Sequence, residues 1–283
     1  MKRPYEVSVQ VALGHYVPGT SLLHRLDPRA KLVIFLLFVS ASVVVGTVTQ
    51  NAVLLIVFAL LMPLGQLSLR YALSTLRPAL PAMLLILLLQ LLFIGDSAAA
   101  HSTVYLKWGF LSITADSVRL VLVSLLRVIG LILLISALTL TTSAAMLTHG
   151  VEGLLAPLRK VRVPVSEIAL VFTIALRFAP VLAEQAERLM KGQAARGATG
   201  ATARPWQIIR RTRSVLPVIV PLFLQTLRRA EALALAMEAR GFVPGAPRTS
   251  YQELLWRRID TLACTGATVI VMIIGLLSAW QVA

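Results

Sequence analysis

The sequence predicts an all-α, polytopic membrane protein with about five transmembrane helices and a long cytoplasmic helical coupling region, and three observations carry that prediction. Of the 283 residues, 58% are apolar and 14% charged, whereas soluble domains average about half apolar and a quarter charged. The apolar residues gather in runs close to the ~20 that a helix needs to cross about 30 Å of hydrocarbon. Lys and Arg, finally, are alternately abundant and scarce in the loops between those runs, the bias that orients membrane helices.

The segment ahead of the first run carries charges and turn formers without the apolar core and small-residue cleavage site of a removable signal, so it is expected to be retained. Asp27-Pro28 is expected to cap the first membrane helix, the carboxylate accepting from an early amide and the proline occupying the first turn. Spans are expected at Leu32 to Val48, Ala52 to Leu67, Ala79 to Gly95, Ser117 to Leu140 and Leu262 to Trp280. Lys2, Arg3, Arg25, Arg29 and Lys31 precede the first span, whereas the loop Gly46 to Asn51 has no charge. The next loop holds Arg70 and Arg77, and the third sets Lys107 against Asp96 and Asp116. This alternation places the N-terminus in the cytoplasm, and four crossings return the chain there near Thr141.

Thr141 to Thr261 holds seventeen Lys and Arg against eight Asp and Glu, so most of the net +15 belongs to one segment. Retention of basic loops inside accounts for that charge. It leaves little for nucleic-acid binding, which would also need stacking aromatics or a reading helix. Within the segment, Val165 to Ala183 is apolar enough to cross but contains Glu167, Arg177 and Pro180, and Val215 to Leu227 contains Pro217 and Pro221. If only the first crossed, the basic stretch Gln185 to Asp260 would lie outside, against the bias. Both are therefore read as cytoplasmic or interfacial helices, Val165 to Arg196 and Pro205 to Arg240, roughly 48 and 54 Å long at 1.5 Å per residue and bent by their prolines. The expected organisation is a four-helix membrane domain (1–142), a coupling region (143–260) and a last transmembrane helix (261–283).

Each long helix closes on the same tripeptide, Ala195-Arg196-Gly197 and Ala239-Arg240-Gly241. Glycine just past a helix can take the left-handed conformation that stops it. Arginine in the last turn complements the negative end of the helix dipole, and its planar fork can clasp a carboxylate on another protein. One Arg-Gly is a common helix end. Two at the ends of proline-bearing helices suggest docking onto two similar sites, as a pair of related subunits would present.

Three stretches resemble the transmembrane (EcfT) component of energy-coupling factor (ECF) transporters. Gly14-His15-Tyr16-Val17-Pro18-Gly19-Thr20-Ser21-Leu22-Leu23-His24-Arg25-Leu26-Asp27-Pro28-Arg29-Ala30-Lys31-Leu32 is similar to the family's start. Leu155-Ala156-Pro157-Leu158-Arg159 with Val163-Pro164-Val165 and Ala175-Leu176-Arg177-Phe178 resembles the entry to its coupling region. Arg228-Arg229-Ala230-Glu231 through Ala236-Met237-Glu238-Ala239-Arg240-Gly241-Phe242 resembles its most characteristic stretch. The resemblance implies that Arg196 and Arg240 insert into grooves on two ATP-hydrolysing subunits. It implies that the membrane helices and the apolar faces of the coupling helices hold a substrate-binding S component. The whole would be an ABC-type importer of vitamins or metal ions in a bacterial-type plasma membrane. Gly197-Ala198-Thr199 departs from the acidic or bulkier residue expected after the first motif. The N-terminal pattern is closer to the shared type, which serves several S components, than to the dedicated cobalt or nickel type.

Other features point to no further chemistry. No G-x-x-x-x-G-K-[ST] stretch occurs, so ATP hydrolysis is expected from partners and the chain is expected to be no enzyme and to need no cofactor. The five runs contain no Asp, Glu or His, which disfavours a membrane enzyme, and the mid-membrane ion sites of a secondary transporter are not apparent. His15, His24, His101 and His149 lie in different segments and are expected to hold no metal. Cys264 is the only cysteine, so no intrachain disulfide is possible. Arg127 falls inside the fourth run and needs a polar partner, from this chain or from the S component. Arg119 is expected to reach back to the interface.

Overall fold

A computed structural model describes residues 19–67, 76–93, 104–108, 111–161, 164–196, 208–243 and 255–282. Gly14 to Pro18 of the first motif, the charged residues Arg70 and Asp96, and Gly197 lie outside them. The chain divides into two compact units, residues 19–143 with 255–282 and residues 144–243.

The first unit is a helical bundle. A single turn, α1 (Leu22–Arg25), starts where the Ser21 hydroxyl accepts from the His24 amide. Helix α2 (Pro28–Val44) follows, with Asp27 Oδ1 accepting from the Arg29 amide at 2.8 Å and Pro28 in the first turn, as the sequence predicts. Helix α3 (Val48–Leu64) and helix α4 (Leu80–Phe93) come next. Helix α5 (Ala115–Thr141) opens on a reciprocal cap between Thr114 and Ser117. A further helix, Arg258–Val282, closes the unit. The expected spans therefore exist as helices, but those built on α2 and α3 begin earlier than hydropathy places them. The Asp27 cap at α2, and the polar residues Thr49, Gln50 and Asn51 at α3, extend these helices ahead of their apolar runs.

Helices α3 and α5 pack against each other, as do α2 and the closing helix. Phe38 meets Phe58 edge-on, with ring centroids 5.4 Å apart, amid a core that includes Leu54, Met62, Leu133, Leu134 and Ile274. Gly130 permits the α3–α5 approach: a Cβ there would lie 3.1 Å from the Phe58 ring. The start of α2, the end of α5 and the start of the closing helix meet at one end of the bundle. Lys31 Nζ donates to the Thr141 carbonyl (3.0 Å) and to Thr142 Oγ1 (3.2 Å). Asp260 accepts from the Asp27 amide (2.8 Å) and the Arg257 amide (2.7 Å). Lys31 and Asp260 are 6% and 1% exposed, so these bonds spare two buried charges an uncompensated desolvation.

One element the sequence reading did not anticipate is an antiparallel hairpin, β1 (Val104–Trp108) and β2 (Leu111–Thr114), leading into α5. The fold is otherwise helical in the described residues.

The second unit begins with α6 (Ala144–Leu155) and a 3-10 turn (Ala156–Val161), neither of which was anticipated. Two long helices follow, α7 (Val165–Ala195) and α8 (Ile208–Ala239), matching the expected coupling helices except that Arg196 and Arg240 stand just past their ends. Both run on through Pro180, Pro217 and Pro221. The closing helix of the first unit, α9 (Arg258–Val282), is last in the chain. Helices α5, α7 and α9 are long and apolar enough to cross a membrane, with α3 and α4 shorter apolar helices.

Candidate functional site

Among its described residues the second unit has little interior of its own. Val165 and Ala169 are the buried residues of α7, while α8 leaves Leu216, Ile219, Val220, Phe223, Leu224 and Leu227 exposed. These recur at the three- and four-residue spacing of a single helix face. What joins α7 to α8 includes Arg229, whose guanidinium stands 5.8 Å from the centroid of the Phe178 ring. The Gln185 side-chain oxygen, in the amide orientation that satisfies both partners, accepts from Arg229 Nη2 at 2.8 Å and Nη1 at 3.3 Å. Phe178 and Gln185 are seven residues apart and so share one face of α7, which lets one arginine grip two successive turns.

At the end of α8 the chain stops in a defined way. The Gly241 amide donates to the Glu238 carbonyl (2.9 Å) and the Phe242 amide to the Met237 carbonyl (3.0 Å), with Gly241 at φ +75°. This pairing of the two residues past the cap with carbonyls of the last turn is the Schellman arrangement. It holds Arg240 at the tip, where Ala239, Arg240 and Gly241 are all exposed.

At the end of α7, Arg196 is the cap residue, and its amide donates to the Gln193 carbonyl at 3.2 Å. Ala195 and Arg196 are exposed. Neither Arg196 nor Arg240 forms an ion pair among the described residues. Each tip thus offers a guanidinium with open hydrogen-bonding capacity at the negative end of a helix dipole.

Arg127 finds its partner in the chain itself. Its Nη2 donates to the Val45 carbonyl, one of the groups left open where α2 ends, and Asn51 Nδ2 reaches the same oxygen at 3.4 Å. Among the described residues no three His, Cys, Asp or Glu side chains gather as metal ligands; His149 faces Glu152 at 3.7 Å, three residues on. The Arg229 clasp and the Lys31–Asp260 cluster were not singled out from the sequence. The seven-residue spacing of Phe178 and Gln185 was the available signal for the first.

Residues 19–251 match the family model described as Cobalt transport protein. Among curated proteins, the chain is 40% identical to the energy-coupling factor transporter transmembrane protein EcfT of Brevibacillus brevis, over 94% of this chain and 97% of that one. It is 36% identical to the EcfT protein of Ruminiclostridium cellulolyticum, over 93% and 94% of the two chains. To the EcfT protein of Bacillus subtilis it is also 36% identical, over 94% and 98%.

Proposed function

We propose a function from one premise: the chain belongs to the EcfT family of energy-coupling factor transporter transmembrane proteins. It acts as the scaffold that couples ATP hydrolysis by two partner ATPase subunits to movement of a substrate-binding S component, for uptake of vitamins or metal ions. The observation that carries this reading is the pair of exposed arginines, Arg196 and Arg240, each standing without an ion pair among the described residues at the C-terminal tip of a helix of about 30 residues. Each would enter a groove on one ATPase and clasp a carboxylate there, Gly241 terminating the second helix so that the arginine leads.

The exposed apolar face of α8 supports a second contact, with the S component or the membrane interface, since a contiguous apolar patch of this kind marks an interaction surface. Helix α7 has the length and apolarity to cross a bilayer. We read it as interfacial, because crossing would carry α8 and its arginines to the far side, against the retention of basic segments in the cytoplasm. On this reading the N-terminus and residues 144–243 face the cytoplasm.

The test replaces Arg196 and Arg240 by alanine, singly and together, in the assembled transporter. Each change leaves a partner carboxylate unpaired, at a cost of about 2–5 kcal/mol. The double variant should lose ATPase copurification and uptake far more severely than either single variant. Arg→Lys should restore only part, because an ammonium lacks the planar fork. Normal assembly and uptake by the double alanine variant would remove the docking role. The alternative, a dedicated cobalt or nickel component, is separated by comparing uptake of these ions with uptake of vitamins in the same vesicles.

A further inference from the structure

Within the first unit, α2, α3, α5 and α9 border a cavity of about 430 Å³ that is open on one side, where Leu60, Leu64 and Leu262 are exposed. It exists because Ala137, Ala263, Gly266 and Ala267 stand where larger side chains would close the helices together. A Cβ built at Gly266 meets nothing within 4 Å. The lining is otherwise hydrocarbon except for Lys31 and Thr141, and a wall of that composition selects an apolar ligand.

The polar end of this cavity is also the basic end of the bundle. Leu23 and Leu26 edge it, and the same stretch carries His24, Arg25, Arg29 and Lys31. The carboxylates nearby are engaged with backbone amides: Asp27 accepts from the Arg29 amide, and Asp260 accepts from the amides of Asp27 and Arg257. Neither Arg25 nor Arg29 forms an ion pair among the described residues. Arg25 is exposed, and Arg29 Nε is buried without a hydrogen-bond partner among the described residues. Asp27 and Asp260 keep their charge and offset part of this, but Arg25, Arg29 and Lys31 outnumber them, and a hydrocarbon groove beside a surplus of positive charge complements an anionic amphiphile.

We propose that the cavity holds one acyl chain of an anionic phospholipid, drawn from the leaflet on the basic side, whose headgroup is held by Arg25 and Arg29. The lipid fills space that the small side chains leave open and balances the surplus positive charge beside it. A bundle immersed in lipid meets this ligand at high local concentration, and its chain satisfies a lining that offers almost nothing to a polar solute.

The experiment uses the full chain in nanodiscs containing equal amounts of phosphatidylglycerol and phosphatidylcholine with identical acyl chains, followed by mild delipidation and native mass spectrometry. The wild-type chain should retain one phosphatidylglycerol. Arg25→Gln with Arg29→Gln should keep a lipid but reduce the preference for phosphatidylglycerol by about 25-fold, from about 1 kcal/mol per basic residue converted to a fivefold factor each. Gly266→Leu, which fills the cavity, should abolish retention of either lipid, and Gly266→Ala, which adds only the unobstructed Cβ, should weaken it while the chain stays folded. No retained lipid on the wild-type chain, or undiminished retention in both Gly266 variants, overturns the cavity site. Equal retention of the two lipids by the wild-type chain overturns the headgroup assignment.

Discussion

Replacing Gly241 by alanine isolates the conformational requirement at the tip of α8. The backbone there sits at φ +75°, a region that costs an L-residue with a Cβ roughly 1–2 kcal/mol. Because a Cβ at this position meets nothing within 4 Å, no clash adds to that figure and the whole cost is backbone. The hydrogen bonds from Gly241 to Glu238 and from Phe242 to Met237 define the same turn, so the strain can be relieved by breaking them. Amide exchange at Gly241 and Phe242 should therefore accelerate by about 5- to 30-fold, the factor that 1–2 kcal/mol represents. Exchange in the middle of α8 should stay unchanged. Coupled ATP hydrolysis should fall with the same variant, because Arg240 loses its fixed approach, and Gly241→Asn should recover part of both, since asparagine tolerates this conformation better than alanine. Unchanged exchange and full coupling in Gly241→Ala would refute the argument that the glycine terminates the helix to present the arginine.

The remaining expectations concern packing, orientation and energy supply. Gly130→Val should lower the melting temperature in detergent, because its Cβ would lie 3.1 Å from the fully buried Phe58 ring and such overpacking costs about 1–3 kcal/mol; an unchanged melt would show that α3 and α5 do not approach as described. Cysteines placed at Ser214 and Ser250 should resist an impermeant thiol reagent applied to intact cells, and ready labelling from outside would reverse the proposed orientation. The chain purified alone should hydrolyse no ATP above a mock preparation. Activity that copurifies with it in the demonstrated absence of an ATPase subunit would contradict the scaffold reading.

The helices were legible in the sequence because an apolar run of bilayer length admits few other structures. Their ends were less so. Hydropathy alone starts the first span at Leu32, whereas α2 begins at Pro28 where the Asp27-Pro28 cap predicts it; what the sequence did not show is that Lys31 inside the helix is made tolerable by oxygens from Thr141 and Thr142, residues 110 positions away or more. No local pattern announces such a partner. Arg127 illustrates the same limit: its position inside an apolar run required a polar partner, but that the partner is the Val45 carbonyl depends on how α2 and α5 pack. The hairpin had a signal that charge counting obscured. Val104-Tyr105-Leu106-Lys107-Trp108 is rich in β-branched and aromatic residues, and Gly109 follows it, a strand pattern ahead of a turn. Helix α6 is short and amphipathic, and it lay within a segment read for its charge rather than its period. At the candidate site, the glycine cap at Gly241 followed directly from the residues, whereas the Arg229 clasp depends on two helices meeting and was visible only as a spacing on one of them.

Under the proposed coupling role, that clasp bears on how α8 would move against α7. With only Val165 and Ala169 buried in α7, the unit has too little interior to fix its two long helices by core packing, so individual polar contacts carry unusual weight. Arg229 stacks on Phe178 and donates twice to Gln185, constraining α8 at two heights along α7. The exposed apolar face from Leu216 to Leu227 lies on one side of that grip and Arg240 on the other. Leu227 and Arg240 are thirteen residues apart in the sequence, which corresponds to about 20 Å of helix. On the proposed reading, an ATPase that displaces the arginine tip acts on a lever pinned near its middle, and the apolar face responds at the other arm. A clasp built from one side chain suits this role better than an extensive core, because a grip of a few contacts permits α8 to pivot where a packed core would hold it still.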